Sequence, residues 1–390
     1  MILVAVGVGL VAASTALSAL LCALTRLVAP RLGMVDHPAG RKAHRAPTPL
    51  AGGVAIWLTM GVVLTVGALA VGPGRVLLPD DVARHVGGLR ERGGTMALIF
   101  GLATAIMAMG LADDRIGLGW KLRLGVQVGL SVVLVASGVH VTLFWPLNDP
   151  IISGAITVLW IVGLTNAFNF LDNMDGLAAG VGLIGATLFA AAQVEVEDLF
   201  VPAVLLVLVG SLGGFLVHNR HPARLFMGDA GSNFLGFLLG ALTVVGTFAR
   251  PDRGYSPYGV LTPLLVMAVP LYDTASVLLI RVREGRSPFE ADRRHFSHRL
   301  VERGLTPPLA VRTIYLITLA GGLGALLLPR MDAAGACVVV GQTICLLGVV
   351  ALLEVSTNRP ERRDVEARTP IEPGPGPGPS SPDDRVGGRG

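Results

Sequence analysis

A 390-residue chain that is 52% hydrophobic and only 15% charged falls outside the range of soluble proteins, which carry roughly a quarter charged residues. Its 31 Lys and Arg against 27 Asp and Glu leave a formal charge of +4; the excess sits in the segments between apolar stretches and points to no nucleic-acid partner. Cys22, Cys337 and Cys345 all lie inside apolar stretches. They have neither metal-ligand nor disulfide-framework spacing and read as small buried residues.

Apolar stretches of about 20 residues recur along the chain, each long enough to cross a bilayer as a helix. The first, 2–25, lacks the basic n-region of a signal peptide, and its basic residues follow from Arg26 on; it reads as a retained first span. Further spans are predicted over 51–71, 95–112, 122–140, 151–166, 176–194, 199–217, 231–249, 259–280, 309–328 and 333–353, giving eleven. The expected fold class is all-α, a polytopic integral membrane protein with a membrane domain over 1–357. The segment 358–390, with its Pro373-Gly-Pro-Gly-Pro-Gly-Pro379 run, cannot bury a core and is expected to be a disordered tail. No internal repeat is evident, which argues against a transporter built from inverted halves.

Alternating the intervening loops separates the cations sharply. One side takes 24 Lys and Arg, in 26–50, 113–123, 218–229, 281–312 and the tail; the other takes 7, in 72–94, 250–258 and at Arg330. The positive-inside bias puts the first set in the cytoplasm, the N-terminus outside and the C-terminus inside. Every motif described below then falls on the cytoplasmic face.

Ionisable groups at membrane depth are costly and call for a functional reason. Asp113-Asp114 directly follows the run 95–112. Two adjacent carboxylates repel each other at a helix C-terminus, where the dipole favours cations; a bound cation or a proton-transfer task would explain them, and a solvated loop start with Arg115 as partner is the plain alternative. Arg123, ten residues after Asp113, is able to meet a phosphate. Asn166-x-x-Asn169-x-x-Asp172-x-x-Asp175-Gly176 places four oxygen-bearing side chains near one face if the segment turns as a helix, and such oxygens suit Mg²⁺. Gly228-Asp229-Ala-Gly231 sets an acid between glycines just before an apolar span, where backbone can approach a phosphate closely. Asp273 lies deeper and reads as a protonated or hydrogen-bonded structural residue.

Two basic loops complete the set. Asp36-His37-Pro38-Ala-Gly40-Arg41-Lys42, with Pro47 and Pro49, forms a rigid stretch leading into the second span. Ser287-Pro288-Phe289 through His295-Phe296-Ser297-His298-Arg299 can bind a diphosphate or sugar hydroxyls through charge-assisted hydrogen bonds. The two histidines lack the partners of a zinc site.

In this order, and on one membrane face, the five motifs resemble the polyprenyl-phosphate N-acetylhexosamine-1-phosphate transferases, glycosyltransferase family 4, from about Asp36 to Leu300 and through the span pattern to about residue 353. The resemblance implies transfer of a sugar-1-phosphate from a UDP-amino sugar, most simply UDP-GlcNAc, to undecaprenyl or another polyprenyl phosphate. UMP is released, Mg²⁺ (or Mn²⁺) is the cofactor, and the product initiates a cell-envelope glycan such as O-antigen or teichoic acid. It implies an inner (plasma) membrane location with a cytoplasmic active site, and admits a homodimer. Position by position, Asp113 and Asp114 match the acidic pair that positions or deprotonates the lipid phosphate, and Asn169 and Asp229 match metal positions. Asp172, Asp175, Lys42, Arg123, His295, His298 and Arg299 match substrate-binding positions.

Three departures stand out: Ser297 replaces the middle histidine of a common His-x-His-His, Asn173 replaces a glycine, and Arg123 stands where lysine is usual, keeping charge but changing phosphate geometry. They bear on the sugar more than on the reaction. The branch that handles MurNAc-pentapeptide carries three consecutive histidines followed by Phe-Glu, absent here. A secondary transporter would spread its acids across depth, and a CDP-alcohol phosphotransferase would hold them in one compact Asp-Gly repeat.

Overall fold

The structure is a computed structural model that describes residues 2–36, 47–71, 86–141, 149–196, 199–287 and 294–355. Lys42, residues 288–293 and the 358–390 tail lie outside the described residues.

The apolar stretches form α1 (Ile2–Val28), α2 (Gly52–Val71), α3 (Val86–Ile116), α4 (Trp120–Ala136), α5 (Pro150–Leu171), α6 (Leu177–Glu195), α7 (Phe200–Asn219) and α8 (Gly228–Val245). Then follow the short α9 (Thr262–Val266), α10 (Ala268–Arg283), α11 (Phe296–Glu302), α12 (Pro307–Ala325) and α13 (Ala333–Val355). Among the described residues nine helical segments are long and apolar enough to cross a membrane. The predicted span 259–280 is instead two helical pieces, Pro257–Val266 and Ala268–Arg283, bent by 60°; Pro270 and Pro263 both remove backbone donors near the break. The predicted span 122–140 is α4, 17 residues long, which rises only about 25 Å.

The bundle is built around α8, which is almost wholly buried, whereas α1 and α13 are largely exposed at its periphery. Small residues set this arrangement. A Cβ at Gly110 of α3 would sit 2.4 Å from the Asp229 carbonyl oxygen, one at Gly53 of α2 2.3 Å from Gly231, and one at Gly236 of α8 2.6 Å from the Leu164 carbonyl oxygen. Three helices therefore approach α8 backbone to backbone, as close packing in a bilayer requires. At the periphery, Gly210 and Gly214 of α7 do the same for α1, and the Ser18 hydroxyl donates to the Ser211 carbonyl at 2.6 Å.

After α1 the chain forms a two-stranded antiparallel ribbon, Val35–Asp36 with Thr48–Pro49. Phe226 N–H donates to the Pro49 carbonyl, and Gly52 N–H to the Phe226 carbonyl, both at 2.9 Å. The ribbon is thereby fastened to the segment entering α8. The C-terminal ends of α3, α5, α7 and α10 and the starts of α4, α6 and α8 gather at this same end of the bundle.

Candidate active site

The run predicted to end before Asp113 continues as helix to Ile116. Gly117 closes it with φ of 64°, its N–H donating to the Asp113 carbonyl at 2.9 Å, the left-handed stop that glycine permits. The acidic pair therefore sits within the last turn, and its two members point to different partners. Asp113, 8% exposed, accepts from Arg123 Nη1 and from Leu118 N–H, both at 2.6 Å. Asp114 accepts from the backbone N–H groups of Asp229 (2.8 Å) and Ala230 (3.1 Å). It thus caps the first turn of α8 from another helix, answering both its free N–H groups and its positive dipole. Gly228, with φ of 73°, leaves room for this: a Cβ there would lie 2.7 Å from an Asp114 oxygen.

Asn169, in the last turn of α5, donates to Asp229 Oδ1 at 2.8 Å and to Ser232 Oγ at 3.1 Å. Arg123 Nη1 approaches Asp229 Oδ2 at 3.6 Å. Asp113, Asp114, Asn169, Asp229 and Arg123 are thus drawn from four helices into one cluster. A chain of amides buttresses it from the membrane side. Asn166 Nδ2 donates to Gln127 Oε1 (2.7 Å), Gln127 Nε2 to Asn233 Oδ1 (3.0 Å), and Asn233 Nδ2 to the Asp229 carbonyl (2.8 Å). Gln127 and Asn233 are buried, and the closed chain satisfies polar groups that would otherwise be expensive in an apolar medium.

The four oxygen-bearing residues spaced by three do not share one face, because α5 ends at Leu171 and the chain turns. Asp172 stays with the cluster: burial first, then the negative charges of Asp229, Asp114 and Asp175, push its carboxyl up to about 8. Asp175 points away and accepts from His221 Nδ1 (2.8 Å) and Ala223 N–H (3.0 Å). Asn219 holds the same turn, accepting from Gly176 N–H at 2.9 Å and donating to the Leu225 carbonyl.

The histidine loop reaches the site through α11. Asp273, 1% exposed, accepts from His295 Nδ1 (2.9 Å) and Phe296 N–H (2.6 Å); this is the hydrogen-bonded structural role expected of it. His295 also faces the Phe170 ring at 5.7 Å between centroids, beside the Asn169–Asp172 stretch. Ser297 donates to Asn173 Oδ1 at 2.5 Å, so two of the residues that depart from the family pattern contact each other. Arg299 donates to Ser276 Oγ (2.8 Å) and pairs with Glu354 at 3.1 Å, and Glu354 accepts from the Tyr272 hydroxyl at 3.0 Å. This ties α11 to the end of α13 and gives Arg299 a structural partner. His298 is half-buried on α11.

The residues missed in sequence are Glu354, His221 and Asn219. Glu354 carried a signal, a lone acid at the end of an apolar span; the other two lie next to no motif. Asn233 was legible one helical turn after Asp229.

The donor set suits a magnesium ion. Hard oxygens from Asn169, Asp172 and Asp229 meet in a cluster where negative groups outnumber the cation Arg123 among the described residues. No three His, Cys, Asp or Glu side chains form a metal cage among those residues. Mg²⁺ needs none, being held by one or two carboxylates with water and substrate phosphates completing its shell.

The comparisons agree with this geometry. The profile described as Glycosyl transferase family 4 matches residues 96–247, which hold the acid cluster. The chain is 31% identical over 314 residues to the probable undecaprenyl-phosphate N-acetylglucosaminyl 1-phosphate transferase of Bacillus subtilis (strain 168), covering 78% of this chain and 80% of that protein. It is 33% identical over 359 residues to the decaprenyl-phosphate N-acetylglucosaminephosphotransferase of Mycolicibacterium smegmatis, covering 86% and 85%. To the undecaprenyl-phosphate alpha-N-acetylglucosaminyl 1-phosphate transferase of Escherichia coli (strain K12) it is 28% identical over 314 residues, 76% of each chain. The chain belongs to glycosyl transferase family 4.

Proposed function

We propose that this protein transfers N-acetylglucosamine-1-phosphate from UDP-GlcNAc to a polyprenyl phosphate, releasing UMP, at the cytoplasmic face of the plasma membrane. The activities for which the relatives are named support the lipid acceptor and the sugar. The face is supported by the 24-to-7 split of Lys and Arg between the two sides together with the gathering of the acid cluster at one end of the bundle. An eleven-span topology with the N-terminus outside follows if α4 and the bent pair each cross.

The observation that carries the reading is the convergence of Asp113, Asp114, Asn169 and Asp229 around Arg123. In the reaction an oxygen of the lipid phosphate bonds to the sugar-linked β-phosphorus, and the bond from that phosphorus to the bridging oxygen breaks. UMP leaves with that oxygen. The main obstacle is charge, since two anions must meet. A phosphate monoester has a second pKa near 6, so the acceptor is already largely dianionic at neutral pH, and a strong base is not required. Asp113 therefore serves to aim Arg123, which it grips at 2.6 Å, toward the phosphates, while Asp114 fixes the start of α8 and with it Asp229. Asn169, Asp229 and Asp172 would hold Mg²⁺, which supplies charge neutralisation on the diphosphate. His295, locked by Asp273 with Nδ1 engaged, presents Nε2 to the donor.

Labelled sugar carried from UDP-[³H]GlcNAc into organic-extractable lipid, only when undecaprenyl phosphate is supplied, tests this. Label that stays in the aqueous phase with folded protein and both substrates would refute it.

A further inference from the structure

A cavity of about 440 Å³ lies outside the acid cluster, between the end of α7, the 218–224 segment and the start of α12. We propose that it is a headgroup site for an anionic phospholipid, set against the turn that carries Asp172 and Asp175. Three arginines line it, Arg220, Arg224 and Arg312, and none has an acidic partner among the described residues. The one carboxylate that lines it among the described residues, Asp175, is already engaged by His221 Nδ1 and Ala223 N–H. The cavity is therefore strongly positive and suits a phosphate, which guanidinium groups bind through paired hydrogen bonds.

Its remaining walls decide which phosphate. Leu216, Val217 and Val311 are apolar, and Val217, in the last turn of a membrane-crossing helix, is 54% exposed. A soluble nucleotide has no use for an apolar side open to the bilayer. A phospholipid places its phosphate on the arginines and its glycerol and acyl chains along that side. Basic pockets between spanning helices at the cytoplasmic boundary take such headgroups, each cation contributing on the order of a fivefold gain in partitioning.

The cavity walls also hold the acidic turn. The Tyr315 hydroxyl donates to the Gly176 carbonyl at 2.5 Å, and His221 grips Asp175. A bound headgroup consolidates the segment bearing Asp172, so transfer becomes sensitive to anionic lipid. This activity consequence rests on the transferase reading above; the binding itself does not.

The test uses the purified full chain in nanodiscs of phosphatidylcholine, with or without phosphatidylglycerol. Native mass spectrometry should show wild type retaining phosphatidylglycerol, and a triple variant (Arg220→Gln, Arg224→Gln, Arg312→Gln) losing that retention by on the order of tenfold or more. The corresponding triple lysine variant keeps most of it, which separates charge from misfolding. UMP release by wild type should rise several-fold with phosphatidylglycerol, while the glutamine variant keeps its phosphatidylcholine rate and loses the rise. Equal retention by wild type and glutamine variant overturns the proposal. So does a KM for UDP-GlcNAc that is higher in the glutamine variant than in wild type when both are in phosphatidylcholine alone, which would assign the cavity to the donor nucleotide. A wild type that retains lipid but releases no UMP in any bilayer instead sinks the transferase reading and leaves the lipid site standing.

Discussion

The Asp114 carboxylate accepts from the N–H groups of Asp229 and Ala230 at 2.8 and 3.1 Å, so one motif acid caps the helix on which another is mounted. The two acids are 115 residues apart in sequence, and neither is placed without the other. Asp114→Ala should therefore cost both stability, about 1–2 kcal/mol as for a lost N-cap, and nearly all turnover. Asp114→Asn keeps one acceptor and should recover more of the stability than of the turnover. Thermal unfolding in detergent beside UMP release separates the two effects. An Asp114→Ala protein that melts like wild type would remove the capping role.

Asp229 is expected to matter for the reaction more than for the fold, since its carboxylate is 37% exposed and, among the described residues, is met by Asn169 Nδ2 at 2.8 Å with Arg123 farther off at 3.6 Å. Asp229→Ala should lower kcat by about 10²–10³, as for a removed transition-state donor, with little change in melting temperature. Near-normal turnover in a membrane assay would show that the metal site lies elsewhere.

Asp172 links the site to pH. Its carboxyl is held at about 8, far above an unfolded carboxylate, so the folded form keeps a proton that the unfolded chain gives up. That preference stabilises the fold fully at low pH and is lost as pH rises through the carboxylate range to about 8. A divalent cation held there would reverse the balance, since it binds the deprotonated carboxylate. Thermal stabilisation by added Mg²⁺ should grow as pH climbs toward 8, and Asp172→Asn should flatten that dependence. Mg²⁺ stabilisation that does not vary with pH would contradict this.

Arg299 was expected among the substrate-binding cations. Its pairing with Glu354, both side chains nearly buried at 12% and 11%, predicts a different phenotype. Glu354→Ala strands a buried charge, a loss of about 3–5 kcal/mol, and should destabilise the protein as much as Arg299→Ala, with strong non-additivity in the double variant. Unchanged melting with a raised KM for UDP-GlcNAc in Arg299→Ala would restore the binding role.

The helices and the acids were legible because both are local signals: apolar runs of fixed length, and charges where none should be. The partners of the acids were not. Asp113 follows its apolar run directly and carries Arg115 as an obvious neighbour, yet it pairs with Arg123 across a left-handed turn at Gly117. The three-residue spacing of Asn166, Asn169, Asp172 and Asp175 suggested one face, but α5 ends at Leu171 and Asp175 turns to His221. The division of labour between Asp172 and Asp175 is a tertiary fact. The bend between α9 and α10 did carry a signal, Pro263 and Pro270 inside the apolar run, but two prolines do not record the size or direction of the turn, which is 60°.

The central claim, that this acid cluster moves a sugar-1-phosphate between a nucleotide and a lipid, is tested most directly by UMP release from UDP-GlcNAc by the purified protein with undecaprenyl phosphate. Release that requires both the lipid and Mg²⁺, and that falls by at least about 10² in Asp229→Ala, is the predicted result. UMP release that proceeds equally without the lipid, or in the Asp229→Ala protein, would contradict it.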